Sequence, residues 1–408
     1  ALASGDRVWG IVAASLRTSD ARDALAPQDD FYTLAVRSGE GESLRVIGAL
    51  KKILVAPEDP SALLRAMADP RIRIVTLTVT EKGYCHDPAA GELDESHPDI
   101  RADLAAPDRP RSTTGFLVEA LRLRRSAGTP PFTVLTCDNL PANGRTVRRV
   151  VARHAHLRDP DLGAFVDGEV AFPSTMVDRI VPATTQADRD DISTRLGVMD
   201  AWPVVTEPFA QWVIEDRFPT GRPRLEQFGA DLVADVAPYE TMKLRLLNGS
   251  HSTLAYLGYL AGHETIADTM QDEAFLRLAR NLMDLEARPT LVLPAGADVE
   301  SYKRSLIMRF RNTALRHRTW QIAMDGSQKL PQRLLAPARE LMARSAPIPR
   351  IALGVAAWMR YVAGIDEKGA AIDVRDPLDP RLRALAEAAG RDAERLARAL
   401  LGVREVFG

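Results

Sequence analysis

Cysteine is scarce in this sequence: Cys85 and Cys137 are the two among 408 residues. Two thiols cannot build a disulfide framework or a thiolate metal cage. Their scarcity suits a reducing compartment, so a cytoplasmic protein is expected. No run of about 18 apolar residues occurs, and no membrane-spanning helix is expected. Residues 1–6 lack the basic stretch and apolar core of a signal peptide. Excess charge of one sign is also lacking. Lys and Arg total 53 against 55 Asp and Glu, a net charge of -2, which predicts neither a nucleic-acid nor a membrane partner. No pair among the seven histidines has zinc-ligand spacing with a carboxylate or cysteine partner, so no metal is expected. His154 and His156 come nearest, in a basic stretch that reads as surface. A Gly-x-Gly-x-x-Gly loop is missing as well; Gly39 and Gly41 read as a hairpin turn.

What remains is an ordinary globular composition, 46% apolar and 26% charged, with length for two or three domains. Short apolar runs of strand type lie at 8–15, 31–36, 44–50, 72–79 and 132–136. Between them, 61–67 and 112–126 carry helical spacing, with Ser61 a candidate N-cap. Such strand–helix–strand units predict a doubly wound, Rossmann-type α/β domain with a mostly parallel sheet. From about residue 237 the pattern turns helical, over 239–261, 269–287, 300–313 and 378–401. The expected organisation is therefore a Rossmann-type dinucleotide-binding domain over 1–236. A mostly α-helical C-terminal substrate domain follows over 237–408.

The segment YETMKLRLLNGSHSTLAYLG, 239–258, gathers the most chemistry. On an α-helix, Glu240, His251 and Asn248 fall ~60°, ~80° and ~140° around from Lys243. Leucines surround this arc, which predicts burial. A desolvated lysine can serve as a proton-transfer base near neutrality. An amide can donate to a developing alkoxide, and an imidazole can orient a hydroxyl. A structural helix whose Lys243 reaches out to water is the plain alternative. TCDNLPANG, 136–144, follows a strand and places Asp138 and Asn139 at its carboxyl end, where doubly wound sheets bind ligands. Ordinary turn roles would explain the same residues. Glu81 follows the 72–79 strand in the same way, as a nicotinamide-side candidate or a simple loop acid.

Taken together, KLRLLNGSH (243–251), TCDNLPANG (136–144), FPSTMVDRIVP (172–182), VTEPFAQWVIEDRF (205–218) and MDGSQKLP (324–331) resemble the mannitol dehydrogenase family of long-chain polyol and hexuronate oxidoreductases. The resemblance covers essentially the whole chain. It implies an NAD(P)-dependent, metal-independent secondary-alcohol dehydrogenase. Lys243 would be the general base, and Asn139 and Asn248 would polarise the carbonyl oxygen. His251 would position the hydroxyl, and Glu240 would relay the proton. Asp178 and Lys329 would hold substrate hydroxyls. Members of the family begin with a strand and a Gly-x-Gly loop that cradles pyrophosphate, which this sequence lacks. Asp20 is the nearest acid past the second strand able to bind a ribose diol, with Asp23 close behind. It favours NAD, although Arg17 leaves NADP open. A mannitol/fructose-type hexitol and ketohexose pair is the first substrate expectation. Fructuronate reduction (D-mannonate oxidoreductase activity) is the second, because Lys329 and Arg333 could clamp a carboxylate. Arg333 reads otherwise as a surface charge at a helix start. A non-catalytic remnant without dinucleotide binding is the remote third. The expected partners are thus a small sugar alcohol, ketose or hexuronate, for a monomer or small homo-oligomer.

Overall fold

The β-branched runs form the parallel strands that their composition suggests, and the helices between them fill the layers above and below. The computed structural model describes residues 9–87, 91–293 and 296–408. Residues 1–8, with Val8 at the start of the strand expected over 8–15, lie outside that range. The chain divides into two compact units, one of residues 1–36 and 42–237, the other of 37–41 and 238–408. Among the described residues, no helix is long and apolar enough to cross a membrane.

In the first unit, Ile11–Ser15 pairs in parallel with Leu50–Val55, and Ile74–Leu77 with Thr133–Thr136. The last of these strands is buried throughout, as expected where helices cover both faces. The expected strand at 44–50 is in fact two, Gly41–Ile47 and Leu50–Val55. A third sheet joins Gln211–Glu215 to Ala230–Val233 in parallel and to Thr175–Asp178 antiparallel. Helix Thr113–Ser126 starts where Ser112 accepts the Gly115 N–H at 2.9 Å. The helix expected from Ser61 begins earlier, at Pro60. Its cap is Asp59, which accepts the Ala62 N–H at 2.9 Å. A proline fits the first helical position because no partner is needed there for a backbone N–H. Phe116, Leu117, Leu121, Phe132, Val134 and Val147 make the core. A cavity of about 940 Å³ is bounded by Val12, Ala13 and Ala14 of one parallel pair and Ile74, Val75 and Leu77 of the other. Among the described residues, neither Ile11–Ser15 nor Ile74–Leu77 has a second strand partner.

The surface reading of His154 is overturned. It lies on the inner face of helix Asn143–Arg158, 2% exposed, and its Nδ1 is 2.9 Å from the Thr114 hydroxyl. Burial, and secondarily Arg158, pushes its pKa down to about 4. His156 is the surface member and contacts Asp167 at 2.9 Å.

The second unit packs helices around Tyr256, Leu330, Leu334, Trp358 and Tyr361. Among the described residues its regularity breaks three times into π-helix, over Lys243–Asn248, Met283–Ala287 and Pro331–Leu335. Within the second of these, buried Glu286 accepts the N–H groups of Arg350 and Ile351 at 2.7–3.1 Å. That carboxylate satisfies the start of helix Pro349–Tyr361. The single helix expected over 378–401 is two, Asp379–Ala389 and Ala393–Leu401. Gly390, at φ 63°, breaks the run.

Candidate active site

In the second unit, the polar residues of 239–258 do not share a uniform α-helix. Helix Ala237–Met242 passes into the π-helix Lys243–Asn248, and α-helix resumes over Gly249–Leu260. The Gly249 N–H donates to the Leu244 carbonyl, an i→i+5 bond. This wider turn carries Asn248 round nearer to the face of Lys243 than the ~140° of an α-helical wheel. Single π-turns within α-helices recur at functional sites. Lys243 is 8% exposed, as is His251. Asn248 is half-buried, as is Glu240, three residues before the lysine on the preceding helix. On the outer side, Arg245 fastens the π-turn. Its guanidinium donates to Glu340 at 2.5 and 2.8 Å and to the Thr290 carbonyl at 2.6 Å.

His251 stacks on Phe310, with ring centroids 5.1 Å apart, and meets the edge of His317 at 4.8 Å. Burial drives its pKa well below the ordinary histidine value. His317, Arg333, Arg309 and Lys329 add to the effect in that order. The imidazole is therefore neutral at physiological pH and can both donate and accept. Three cations, Arg333, Arg309 and Lys329, thus act electrostatically on this one histidine. Lys329 Nζ donates to the carbonyls of Met324 and, at 3.4 Å, Ile322.

Arg333 is not the surface charge of the simpler reading. It sits on the third π-helix, half-buried, and donates at 3.0 Å to the hydroxyl of Ser252, which is fully buried. The two π-turns touch here. A Cβ on Gly249 would stand 2.9 Å from the Arg333 carbonyl oxygen, so the backbone approach requires glycine. Ser252, Arg309 and His317 were not singled out in the sequence. Ser252 could have been, as the neighbour of His251; the others carry no local signal.

In the first unit, the Asp138 carboxylate accepts the N–H groups of Val79 and Thr80, at 2.9 and 3.1 Å, and the Tyr84 hydroxyl at 2.7 Å. It thereby clamps the 79–84 segment, whose Thr80 and neighbouring Cys85 have φ of 62° and 50°. Glu81 is exposed on this clamped segment. Asn139 is exposed just past strand Thr133–Thr136. Asp178, 3% exposed, closes strand Thr175–Asp178. Sequence reasoning missed Asn143. Its buried amide donates to the Asp138 and Thr175 carbonyls at 3.1 and 3.0 Å and accepts the Thr175 N–H at 2.9 Å. It holds the ends of two strands in register. Asp20 is exposed at the head of helix Asp20–Leu25. It lies past the end of strand Ile11–Ser15 with its carboxylate exposed, whereas Asp23 is engaged by Ser19 at 2.6 Å. The residues present thus suit the ribose of a dinucleotide, while the sequence offers no glycine-rich cradle for its pyrophosphate. Cys85, His97 and Asp99 bring one ligand atom each within 4.8 Å of one another. His97 Nδ1 already accepts the Asp99 N–H at 3.2 Å as a helix cap.

The family models for the mannitol dehydrogenase Rossmann domain and the mannitol dehydrogenase C-terminal domain match residues 3–227 and 235–408. The chain is 50% identical to a D-mannonate oxidoreductase of Escherichia coli, over 100% of its own length and 84% of that protein. It is 41% identical to a mannitol 2-dehydrogenase of Aspergillus fumigatus, covering 95% of this chain and 77% of the relative. A solved ternary complex of Pseudomonas fluorescens mannitol 2-dehydrogenase with NAD and D-mannitol superposes with a TM-score of 0.87 at 41% identity, covering 98% of this chain and 81% of that one. The two family models together span nearly the whole chain, in the order of a Rossmann-type unit followed by a helical unit, and the chain belongs to the mannitol dehydrogenase family.

Proposed function

We propose that this oxidoreductase interconverts a secondary alcohol and a ketone on an open-chain sugar acid, with NAD as hydride carrier and Lys243 as the proton-transfer base. The observation that carries the reading is the π-turn, with a buried lysine at its first residue, an amide at its last and a neutral imidazole three residues on. The bound dinucleotide supplies or accepts the hydride. Lys243 Nζ takes the hydroxyl proton as the alcohol is oxidised and returns it on reduction. Asn248 donates to the oxygen that changes charge, and Asn139 is assigned as a second amide donor. His251 orients the reacting hydroxyl, Glu240 passes the proton on, and Asp178 and Lys329 hold further hydroxyls. Asp20 is assigned to the ribose, and its carboxylate favours NAD over NADP. Asp138 acts through the segment it clamps, setting where Glu81 stands. No role here is given to a metal.

The carboxylate preference reverses the order of substrates expected from the sequence, and the reason is Arg333. An arginine turned inward onto Ser252, in company with Arg309 and Lys329, suits an anionic group better than a neutral hydroxymethyl end. The greater identity to the D-mannonate oxidoreductase than to the mannitol 2-dehydrogenase supports this. The likeness to the mannitol complex keeps the hexitol reading as second. Initial rates of NADH oxidation by the product of the complete gene, with fructuronate and with fructose, separate the two. A large preference in kcat/KM for fructuronate is expected. It should shrink about 10- to 100-fold in Arg333→Ala, the scale of a lost charge-assisted hydrogen bond. A preference for fructose would restore the hexitol reading.

A further inference from the structure

The wide turn that begins at Lys243 is not what its own residues prefer. KLRLLN holds neither proline nor glycine, and leucine, lysine and arginine are good α-helix formers. Contacts from outside the segment therefore have to favour the i→i+5 bond between Gly249 and Leu244. Arg245 supplies such contacts. It lies on the side away from Lys243, about 200° round on an α-helical wheel. Its side chain is 11% exposed, and it reaches two other elements at once. One is the short helix Arg288–Thr290, which directly follows the second π-turn, Met283–Ala287; Arg245 donates to the Thr290 carbonyl at 2.6 Å. The other is helix Ala336–Ala343, which directly follows the third π-turn, Pro331–Leu335; Glu340 of that helix accepts the guanidinium at 2.5 and 2.8 Å. One side chain thus ties together the three π-turns of the described residues. A planar fork held by a carboxylate through two bonds fixes direction as well as distance. Thr290 is itself held, 6% exposed with its hydroxyl on the Ala287 carbonyl at 2.6 Å.

We propose that Arg245 is a positioning residue: gripped by Glu340 and Thr290, it holds the 243–248 turn in its π form and so keeps the Asn248 amide on the side of Lys243. The inference rests on the roles proposed above for Lys243 and Asn248. Once the grip is lost, the turn relaxes toward α-helix and Asn248 swings back toward ~140° from the lysine. The oxygen that changes charge then loses a donor, while Lys243, at the head of the turn, stays in place. A displacement of about 1 Å at a reacting centre can cost about 100-fold in rate. Because Arg245 acts through the amide, its removal should matter only while the amide is there.

A double-mutant cycle on the product of the complete gene tests this. Rates are measured with NADH and whichever of fructuronate and fructose is turned over faster, well below the Tm of every variant. Arg245→Met keeps an unbranched stem in place and removes the hydrogen bonds to Glu340 and Thr290. It is expected to lower kcat about tenfold or more, with KM and the NADH Kd within about twofold of the parent. In an Asn248→Ala background the same change should alter kcat by less than about twofold, because the group it positions is gone. Arg245→Lys, which carries the charge without the fork, should recover part of the loss. Glu340→Gln keeps the shape of the acceptor without its charge, and it takes the place of Arg245→Met in the cycle should that variant fold poorly. Equal losses in the two backgrounds overturn the proposal, since independent effects add and general loosening is independent of the amide. Parental kcat in Arg245→Met overturns it as well, and both results leave the Lys243 reading intact. Parental kcat in Asn248→Ala alone overturns the role of the amide, and this inference with it.

Discussion

The strand ends of the first unit and the π-turns of the second spend their polar side chains differently. At the strand ends, Asp138 accepts from three protein donors, and Asn143 bonds the Asp138 and Thr175 carbonyls and the Thr175 N–H. These groups hold backbone. At the π-turn of the second unit, the fastening is done by Arg245 on the outside, while Lys243, Asn248 and His251 occupy a buried or half-buried inner side. The lesson is that a polar residue at the carboxyl end of a strand is not thereby a ligand-binding residue. Its donors and acceptors have to be counted first.

The largest expected break between the two regions comes from Lys243→Ala. Removing a positioned base costs about 10²–10⁴ in kcat, whereas dinucleotide affinity, assigned to the first unit, should hold. Stopped-flow turnover together with NADH fluorescence titration reads both. Turnover near that of the parent enzyme would remove the lysine from the chemistry. Asn248→Ala comes next, at about 2–4 kcal/mol of barrier, the range seen when one donor to a developing oxyanion is deleted. The loss should fall on kcat more than on KM, and a pure KM effect would reassign Asn248 to ground-state binding.

Much of this architecture is legible in the sequence. Ser112 announces its helix, β-branched runs at 74–77 and 133–136 announce strands, and residue types alone mark 243–251 as chemical. The π-turn is not legible, because one extra residue per turn hardly disturbs a hydrophobic pattern over six residues. The direction of Arg333 depends on Ser252, 81 positions away. The donors to Asp138 come from up to 59 positions away. Tertiary partners of that kind leave no local trace. The same holds for His154, whose basic neighbours in sequence conceal a wholly buried ring.

A smaller effect tests whether the π-turns are built as a pair. In Gly249→Ala, the added methyl meets the Arg333 carbonyl at 2.9 Å. Helix propensity gains roughly 0.5–1 kcal/mol from the change. Overpacking against backbone costs roughly 1–3 kcal/mol, so net destabilisation is expected. Arg333 should also shift from Ser252, lowering kcat/KM for fructuronate more than for fructose. A Tm that rises, with substrate preference unchanged, would show that the two turns are independent.

The smallest effect contrasts the units by acid sensitivity. His154 of the first unit titrates at about 4 when folded, against about 6.5 when unfolded. Between those values the unfolded chain holds a proton that the folded chain refuses. Stability therefore falls as pH drops through this window, is unaffected above it and levels off below about 4. His251 and His317 of the second unit are depressed in the same direction, so the slopes add. Replacing His154 by Gln, whose amide can still meet Thr114, should flatten the dependence of urea stability on pH by about one proton, roughly 1.4 kcal/mol per pH unit inside the window. The second unit's share should remain. An unchanged slope in His154→Gln would mean that the ring is protonated in the folded state, and that Thr114 accepts from it rather than donating to it.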